Sequence, residues 1–258
     1  MNRPADALPC ESSRDRRNAF WQDVKFRYMP FRAYYRLRAY RYLHWKSPEM
    51  GLLPFLTDRG KASLDIGANL GLFTYYLSRL STHVYAFEPN PFPLRSLKAV
   101  ADANVTVLPV AVSDRSGEAE LVVPRTAKGW SSNGASLAKA AEAGAGRLTV
   151  PCRAVDDLDY RGVGFVKIDI EGHELAALKG MEKTLARERP NLFIENERLH
   201  AGSGAEDVFA YLKDRDYAGF ALIGGVLTSL AHFSFKQHQA CRNGPAKDYV
   251  KNFIFIPH

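Results

Sequence analysis

Asp-Ile-Gly-Ala-Asn-Leu-Gly, residues 65–71, lies where a short apolar run, residues 62–66, ends and a helical pattern, residues 70–80, begins. Gly67 and Gly71 have no Cβ, so the backbone can turn sharply there and a ligand can approach it closely. A strand, a glycine turn and a helix in this order predict the first unit of a parallel α/β sheet.

Glu88 stands at the end of the next predicted strand, residues 82–87, where a carboxylate can accept two ribose hydroxyls. Dinucleotide folds use G-x-G-x-x-G, but here the glycines are spaced G-x-x-x-G and Asp65 precedes them. A carboxylate so close disfavours a pyrophosphate and suits an ammonium group, such as the methionine end of S-adenosylmethionine. The loop therefore predicts this methyl donor, with NAD and a purely structural turn as alternatives.

The rest of the chain alternates strands and helices, which predicts a doubly wound, mostly parallel, seven-stranded sheet. The predicted strands are residues 62–66, 82–87, 105–112, 164–170, 191–195, 220–223 and 252–256, and the predicted helices are residues 70–80, 91–103, 174–187 and 205–215. Residues 118–123 and 148–153 predict an antiparallel excursion. Residues 128–146, rich in Gly, Ala and Ser, predict a loop that is either a lid over the substrate or a disordered insert.

A second group of polar residues follows the fourth and fifth predicted strands. Ligands of open α/β sheets bind beyond the carboxyl ends of the strands, so these side chains are expected near Gly67 and Glu88. They are the candidates for the group that removes a proton from the acceptor: Asp169, Glu171, His173 and Glu195. A role for His173 as a helix cap stays open, and Glu171 would also sit favourably at a helix start without doing chemistry. A divalent metal, Mg²⁺ or Mn²⁺, on Asp169, His173 and Glu195 is a less favoured alternative, because the spacing specifies no cage.

The net charge of +7 is concentrated in one segment. Residues 14–46 contain ten of the 35 Lys and Arg residues but two of the 28 Asp and Glu residues, and aromatic residues alternate with the arginines. Such a segment can pack as a helix on the domain, with arginine stems covering apolar surface, or contact an anionic membrane peripherally. No RNA-binding motif supports a third option, nucleic acid, so no nucleic-acid partner is expected.

Length and composition are those of a globular enzyme domain, with 46% hydrophobic and 24% charged residues. No apolar run is long enough to span a bilayer, and the first ten residues lack the order of a secretory signal. The three cysteines, Cys10, Cys152 and Cys241, are too scattered for a disulfide framework or a zinc site. These features predict a cytoplasmic protein, with peripheral contact to the inner face of the membrane as an option.

The motifs together resemble the FkbM family of S-adenosylmethionine-dependent methyltransferases across residues 62–257. The resemblance is carried by residues 65–71 with Thr74, by residues 87–91 (Phe-Glu-Pro-Asn-Pro), 111–114 (Ala-Val-Ser-Asp) with Gly117, 167–174 (Lys-Ile-Asp-Ile-Glu-Gly-His-Glu) and 252–257 (Asn-Phe-Ile-Phe-Ile-Pro). It implies a Rossmann-like class I methyltransferase fold. We therefore expect a flexible N-terminus at residues 1–13, a basic-aromatic helical extension at residues 14–58 and the methyltransferase domain at residues 59–258.

The resemblance also implies roles for individual residues. Those matching the methionine-binding loop are Asp65, Gly67, Asn69 and Gly71. Glu88 matches the ribose acceptor, Ser113 with Asp114 the adenine edge, and Asp169 a position beside the sulfonium. Asn90 is a further candidate for cofactor binding, and both Asp114 and Asn90 have a local alternative. Asp114 can cap a turn before Gly117, and Asn90 either caps the following helix or touches the ligand.

The function implied by the resemblance is O-methylation of a hydroxyl on a sugar, glycolipid or natural-product acceptor. Because a sugar hydroxyl is a poor nucleophile at neutral pH, such an enzyme needs a base or a metal beside the methyl donor. The alternative is a catalytically silent adenosine-binding domain with a regulatory or scaffold role. An NAD-dependent oxidoreductase is disfavoured by the glycine spacing.

Overall fold

The computed structural model describes residues 31–45, 47–126, 129–131, 134–137, 145–198, 204–239 and 249–258. The expected flexible N-terminus and the first part of the basic-aromatic extension, residues 1–30, lie outside this description. So does most of the loop at residues 128–146.

An eight-stranded sheet forms the centre of the fold. Its strands are β1 (Ala62–Ile66), β2 (Val84–Phe87), β3 (Val105–Leu108), β9 (Val163–Ile168), β10 (Asn191–Glu195), β11 (Tyr217–Ile223), β12 (Val226–Ser229) and β13 (Asn252–Pro257). They lie in the order β12-β11-β13-β10-β9-β1-β2-β3. Strands β3, β2, β1, β9 and β10 run parallel, while β13 pairs antiparallel with both β10 and β11. The predicted mostly parallel, doubly wound α/β class is confirmed.

Helices cover both faces of this sheet, which explains why β1 is buried along its whole length. The helices are α1 (Phe31–Trp45), α2 (Leu53–Leu56), α3 (Leu72–Leu77), α4 (Pro91–Val100), α5 (Glu174–Lys179), α6 (Glu182–Glu188), α7 (Gly204–Lys213) and α8 (Phe235–His238). Neighbouring residues of β9 point to opposite faces: Phe165 packs with α2 and α3, whereas Val166 packs with α5, α6 and α7. The carboxyl ends of the parallel strands therefore meet at one edge between two helical layers.

A small second sheet lies beside this edge. It contains β4 (Ala111–Val112), β5 (Gly117–Val123) and β8 (Gly146–Arg153), in the order β4-β8-β5. The predicted antiparallel excursion is thus the β5–β8 pair, and β4 joins β8 in parallel. Two short strands, β6 (Arg125–Thr126) and β7 (Gly129–Trp130), form a separate antiparallel pair.

The structure differs from the predicted elements most clearly in three places, and each difference has a physical reason. The third strand ends at Leu108 and resumes as β4 in the other sheet, since Pro109 has no N–H for a ladder. The helix predicted at residues 174–187 is broken at Gly180, where a Cβ would clash with the backbone carbonyl of Ser113. An eighth strand, β12, was missed. It follows a hairpin turn in which Gly224 and Gly225 both have positive φ, and a Gly-Gly pair is a sequence signal for such a turn.

The basic-aromatic segment packs on the domain where the structure describes it. Helix α1 contacts α3 and α4, and Tyr35 and Ala39 are buried. The Tyr35 hydroxyl donates a hydrogen bond to the carbonyl of Leu70, beside the glycine loop. On the opposite face of α1, the side chains of Leu37 and Tyr40 are more than half exposed. None of the described helices has both the length and the apolar character needed to cross a bilayer.

Candidate functional site

Gly67 fixes the shape of the loop that follows β1. Its φ is +77°, and a Cβ there would clash with the backbone carbonyl of Asp169, so a larger residue would push the loop and the end of β9 apart. The amides of Gly67 and Ala68 both donate to the carbonyl of Phe87, at 3.0 and 2.9 Å. The loop is therefore clamped between the ends of β2 and β9. Gly71, with φ +82°, starts α3.

Glu88 holds the far side of the same loop. Its carboxylate accepts the backbone amide of Asn69 at 2.6 Å and that of Asn90 at 2.8 Å. Burial raises the pKa of Glu88 to about 7, although these hydrogen bonds and Lys167 lower it. Each carboxylate oxygen has a second lone pair, so Glu88 can still accept a hydroxyl from a ligand.

Asp65 lies behind the loop rather than on the cavity wall. Its carboxylate is fully buried, accepts the Thr74 hydroxyl at 2.5 Å and lies 3.4 Å from the Lys167 ammonium. The direct contact with a ligand ammonium expected from the sequence is not what this geometry provides. Asp65 instead ties β1 to α3 and to β9.

Lys167 is one of the residues of this site that were not predicted from the sequence, together with Arg38, Tyr42 and Lys251. Its Nζ donates to the carbonyl of Gly67 at 2.7 Å and lies 3.6 Å from the Asp169 carboxylate. Burial lowers its pKa, but the nearby carboxylates, Asp169 first among them, raise it overall above its ordinary value. The sequence did offer a signal, a single cation near the carboxyl end of an otherwise apolar strand, because a buried lysine needs partners.

Glu195 lies at the end of β10 in a second charged group. Its Oε2 accepts the Lys251 ammonium at 2.9 Å. Burial, followed by the charge of Asp169, raises the pKa of Glu195 to about 8. Tyr42 of α1 reaches the same place, and burial raises its pKa as well. This group joins residues from α1, from β10 and from the position just before β13.

His173 makes its hydrogen bond to Ser113 instead of capping a helix. Its Nε2 lies 2.8 Å from the Ser113 hydroxyl, and the side chain forms no hydrogen bond to the start of α5. Burial lowers the pKa of His173, so the imidazole is neutral near pH 7. The turn at the start of α5 is stabilised instead by Glu174, whose carboxylate accepts a hydrogen bond from the amide of Gly172 at 2.9 Å.

Glu171 connects the strand-end turn to the loop between β7 and β8. Its φ is +57°, uncommon for a residue with a side chain. Its carboxylate accepts the amide of Gly134 at 3.1 Å, and its carbonyl accepts the Ser136 hydroxyl at 2.8 Å. Residues 134–137, which belong to the predicted lid or insert, thereby form part of the cavity wall.

A cavity of about 380 Å³ lies at the carboxyl ends of β1, β2, β9 and β10. Seven of the residues singled out from the sequence line it: Gly67, Asn69, Glu88, Asp169, Glu171, His173 and Glu195. The others named from the sequence do not: Asp65, Gly71, Asn90, Ser113 and Asp114.

The contacts of Asn90 and Asp114 explain why these two residues do not line the cavity. Asn90 caps α4, since its side-chain oxygen accepts the amide of Phe92 at 3.1 Å and its amide group donates to the carbonyl of Ser131. Asp114 is exposed and accepts the hydroxyl of Ser113 at 3.0 Å. The capping alternative for Asn90 therefore describes its contacts better than ligand binding does.

The metal alternative is not supported by the side-chain positions. Throughout the described part of the chain, no three His, Cys, Asp or Glu residues converge as metal ligands would. Asp169, His173 and Glu195 instead face Lys167, Ser113 and Lys251, respectively.

Comparison with known proteins gives a family match and two informative relatives. Residues 65–218 match the family model of the methyltransferase FkbM domain. Hexuronic acid methyltransferase AglP of Haloferax volcanii is 32% identical over 157 residues, which cover 58% of this chain and 60% of that protein. A crystal structure of methyltransferase FkbM from Methylobacillus flagellatus KT, 20% identical, aligns with a TM-score of 0.51 over 84% of this chain and 47% of the other. The chain thus spans less than two thirds of the length of either relative.

Proposed function

Because this chain belongs to the FkbM methyltransferase family, we propose that it transfers a methyl group from S-adenosylmethionine to a hydroxyl of a sugar acceptor. The observation that carries the proposal is the clamped loop. Because Gly67 has no Cβ, the loop can lie directly against the backbone carbonyl of Asp169, and Gly67 and Glu88 both line the same cavity. At about 380 Å³, the cavity lies within the usual range for small-molecule sites, roughly 300–1,000 Å³.

The donor would lie along the loop at the ends of β1 and β2. We infer that Glu88 accepts ribose hydroxyls and that the loop at residues 67–69 holds the methionine end. The bound donor supplies an electrophilic methyl group, so the protein has to place the acceptor oxygen in line with it and exclude water. Asp169 lines the cavity at the end of β9, next to Gly67, and is proposed to lie beside the sulfonium.

Glu195 is the proposed base. Its pKa, raised to about 8, lies near neutral pH, where a group with such a pKa is an efficient general base. Lys251 binds Oε2 at 2.9 Å and fixes the carboxylate, so Oε1 is the proposed proton acceptor. The other candidates have different contacts: Glu171 binds the backbone of residue 134, and His173 binds Ser113.

A sugar acceptor is proposed because the relative AglP is named a hexuronic acid methyltransferase. The direct test is transfer of labelled methyl from S-adenosylmethionine to oligosaccharides with and without glucuronic acid. Label on a sugar hydroxyl supports the proposal, whereas binding of the donor without transfer to any acceptor favours a silent adenosine-binding domain.

The matched variants for this test are Glu88→Gln and Glu118→Gln. Glu118 is an exposed residue of β5, outside the cavity. We expect Glu88→Gln to weaken donor binding by about tenfold, since one charged acceptor is lost. The control should bind as the wild type does, and equal affinities in both variants would remove Glu88 from the donor site.

We also propose that α1 places the enzyme at an anionic membrane surface. Its outward face exposes Leu37 and Tyr40 together with Arg36 and Arg41, which suits an interface of lipid headgroups. Co-sedimentation with phosphatidylglycerol vesicles should weaken as salt rises, because charge attraction is screened over about 10 Å at 0.1 M. Absence of binding at low salt would leave packing on the domain as the role of this helix.

A further inference from the structure

The cavity is lined in part by residues that lie outside the family match. The match covers residues 65–218, but Arg38 and Tyr42 of α1 and Lys251 beside β13 also line the cavity. Their role in the cavity has to be argued from the contacts of this chain.

Helix α1 presents one face to the cavity. Tyr35, Arg38 and Tyr42 are spaced by three and four residues, so they share a side of the helix. Tyr35 anchors this side through its hydrogen bond to the carbonyl of Leu70 and is 2% exposed. Arg38, one turn further along, is consequently held at the cavity mouth next to the glycine loop.

Arg38 differs from the two lysines that line the cavity in its carboxylate partners. Lys167 lies close to Asp65 and Asp169, and Lys251 binds Glu195. For Arg38, the residues that the structure describes provide no carboxylate partner, and its side chain is exposed. A guanidinium group offers a planar pair of N–H donors that matches the two oxygens of a carboxylate.

We propose that Arg38 binds a carboxylate of a ligand held in this cavity. This inference rests on the proposed function, which provides two sources of that group. One is the carboxylate at the methionine end of S-adenosylmethionine, and the other is the carboxylate of an acidic sugar acceptor. Both sources present the same chemistry to the guanidinium, so separate binding measurements are needed to tell them apart.

The experiment compares Arg38→Gln with Arg36→Gln in the full chain. Arg36 is exposed on the same helix but does not line the cavity, so its replacement controls for the loss of charge. In the donor arm, calorimetry measures binding of S-adenosylmethionine and of its decarboxylated form. If the donor provides the carboxylate, the wild type prefers the intact donor by at least about tenfold, and Arg38→Gln abolishes that preference.

In the acceptor arm, calorimetry with S-adenosylhomocysteine present measures binding of a glucuronic-acid oligosaccharide and of its carboxyl-reduced, neutral counterpart. If the acceptor provides the carboxylate, Arg38→Gln weakens binding of the acidic oligosaccharide alone by about tenfold or more. Arg38→Lys should recover part of the loss in whichever arm responds, because it restores charge without the planar fork.

The proposal is overturned if Arg38→Gln and Arg36→Gln behave alike in both arms, including the case in which the acidic oligosaccharide does not bind. Failure of the proposed function looks different, since the wild type would then neither bind S-adenosylmethionine nor transfer its methyl group. A wild-type enzyme that binds and transfers normally, with no effect of Arg38, refutes only the role of Arg38.

Discussion

The two walls of the cavity are built in different ways. The loop wall, residues 67–69 with Glu88, is shaped by backbone: Gly67 fits where no Cβ can, and Glu88 is bonded to two amides. The charged wall, Glu195 with Lys251 and Tyr42, is assembled from side chains far apart in the chain. The backbone conformation of the loop wall restricts which residue types can occupy its positions. The charged wall depends instead on which side chains the tertiary fold brings together.

Lys167 lies behind the loop wall, where it binds the carbonyl of Gly67 and lies close to Asp65 and Asp169, and its removal is expected to have the largest effect. In Lys167→Met, Asp65 keeps a buried charge without its cation, which typically costs about 3–5 kcal/mol of the free energy of unfolding. Urea unfolding measures this loss. Lys98→Met, at an exposed position of α4, should cost under about 0.5 kcal/mol. A Lys167→Met loss no larger than that of the control would contradict this stabilising role of Lys167.

Gly67→Ala should break the loop wall. The added methyl group clashes with the Asp169 carbonyl at a positive φ, so we expect a loss of about 3 kcal/mol in stability and no measurable donor binding. Gly162→Ala is the control that separates the cost of a positive φ from the cost of a steric clash. The φ of Gly162 is +65°, but a Cβ added there would meet no atom within 4 Å. Gly162→Ala should therefore cost about 1 kcal/mol and leave donor binding intact. Equal losses would mean that φ, not the close approach, constrains Gly67.

Glu195→Gln should disable the charged wall while the loop wall still binds the donor. We expect kcat/KM for methyl transfer to fall about a hundredfold, with unchanged donor affinity. A base must be ionised, so wild-type kcat/KM should rise with pH and level off above the pKa of Glu195, about 8. This limb should be absent in Glu195→Gln and present in Glu118→Gln. A retained limb would assign the base to another residue.

Ser113→Ala is expected to have the smallest effect. It tests whether Ser113 belongs to the loop wall that binds the donor. The change removes the hydrogen bond to His173, which is worth about 1 kcal/mol of stability. Because Ser113 does not line the cavity, donor affinity should change less than about twofold. A tenfold weaker affinity would instead place Ser113 at the adenine edge, as the family resemblance implied.

The same contrast explains what the sequence could predict. Gly67, Glu88 and the strand-end acids were predictable because a glycine turn and the carboxyl ends of parallel strands impose their own geometry. The break at Gly180 was not, since it depends on the distant backbone of Ser113. Nor were the partners of Lys167, or the approach of Arg38 and Tyr42 to the cavity, which require the tertiary packing of α1. The sequence therefore predicted the local conformation of these turns, but it did not predict the contacts between segments that are distant in the chain.

The loop wall is proposed to bind S-adenosylmethionine rather than a dinucleotide. The most direct measurement is calorimetric titration of the full chain with S-adenosylmethionine and, separately, with NAD. We expect saturable binding of S-adenosylmethionine and none of NAD. Binding of NAD alone, or of neither compound, would contradict it.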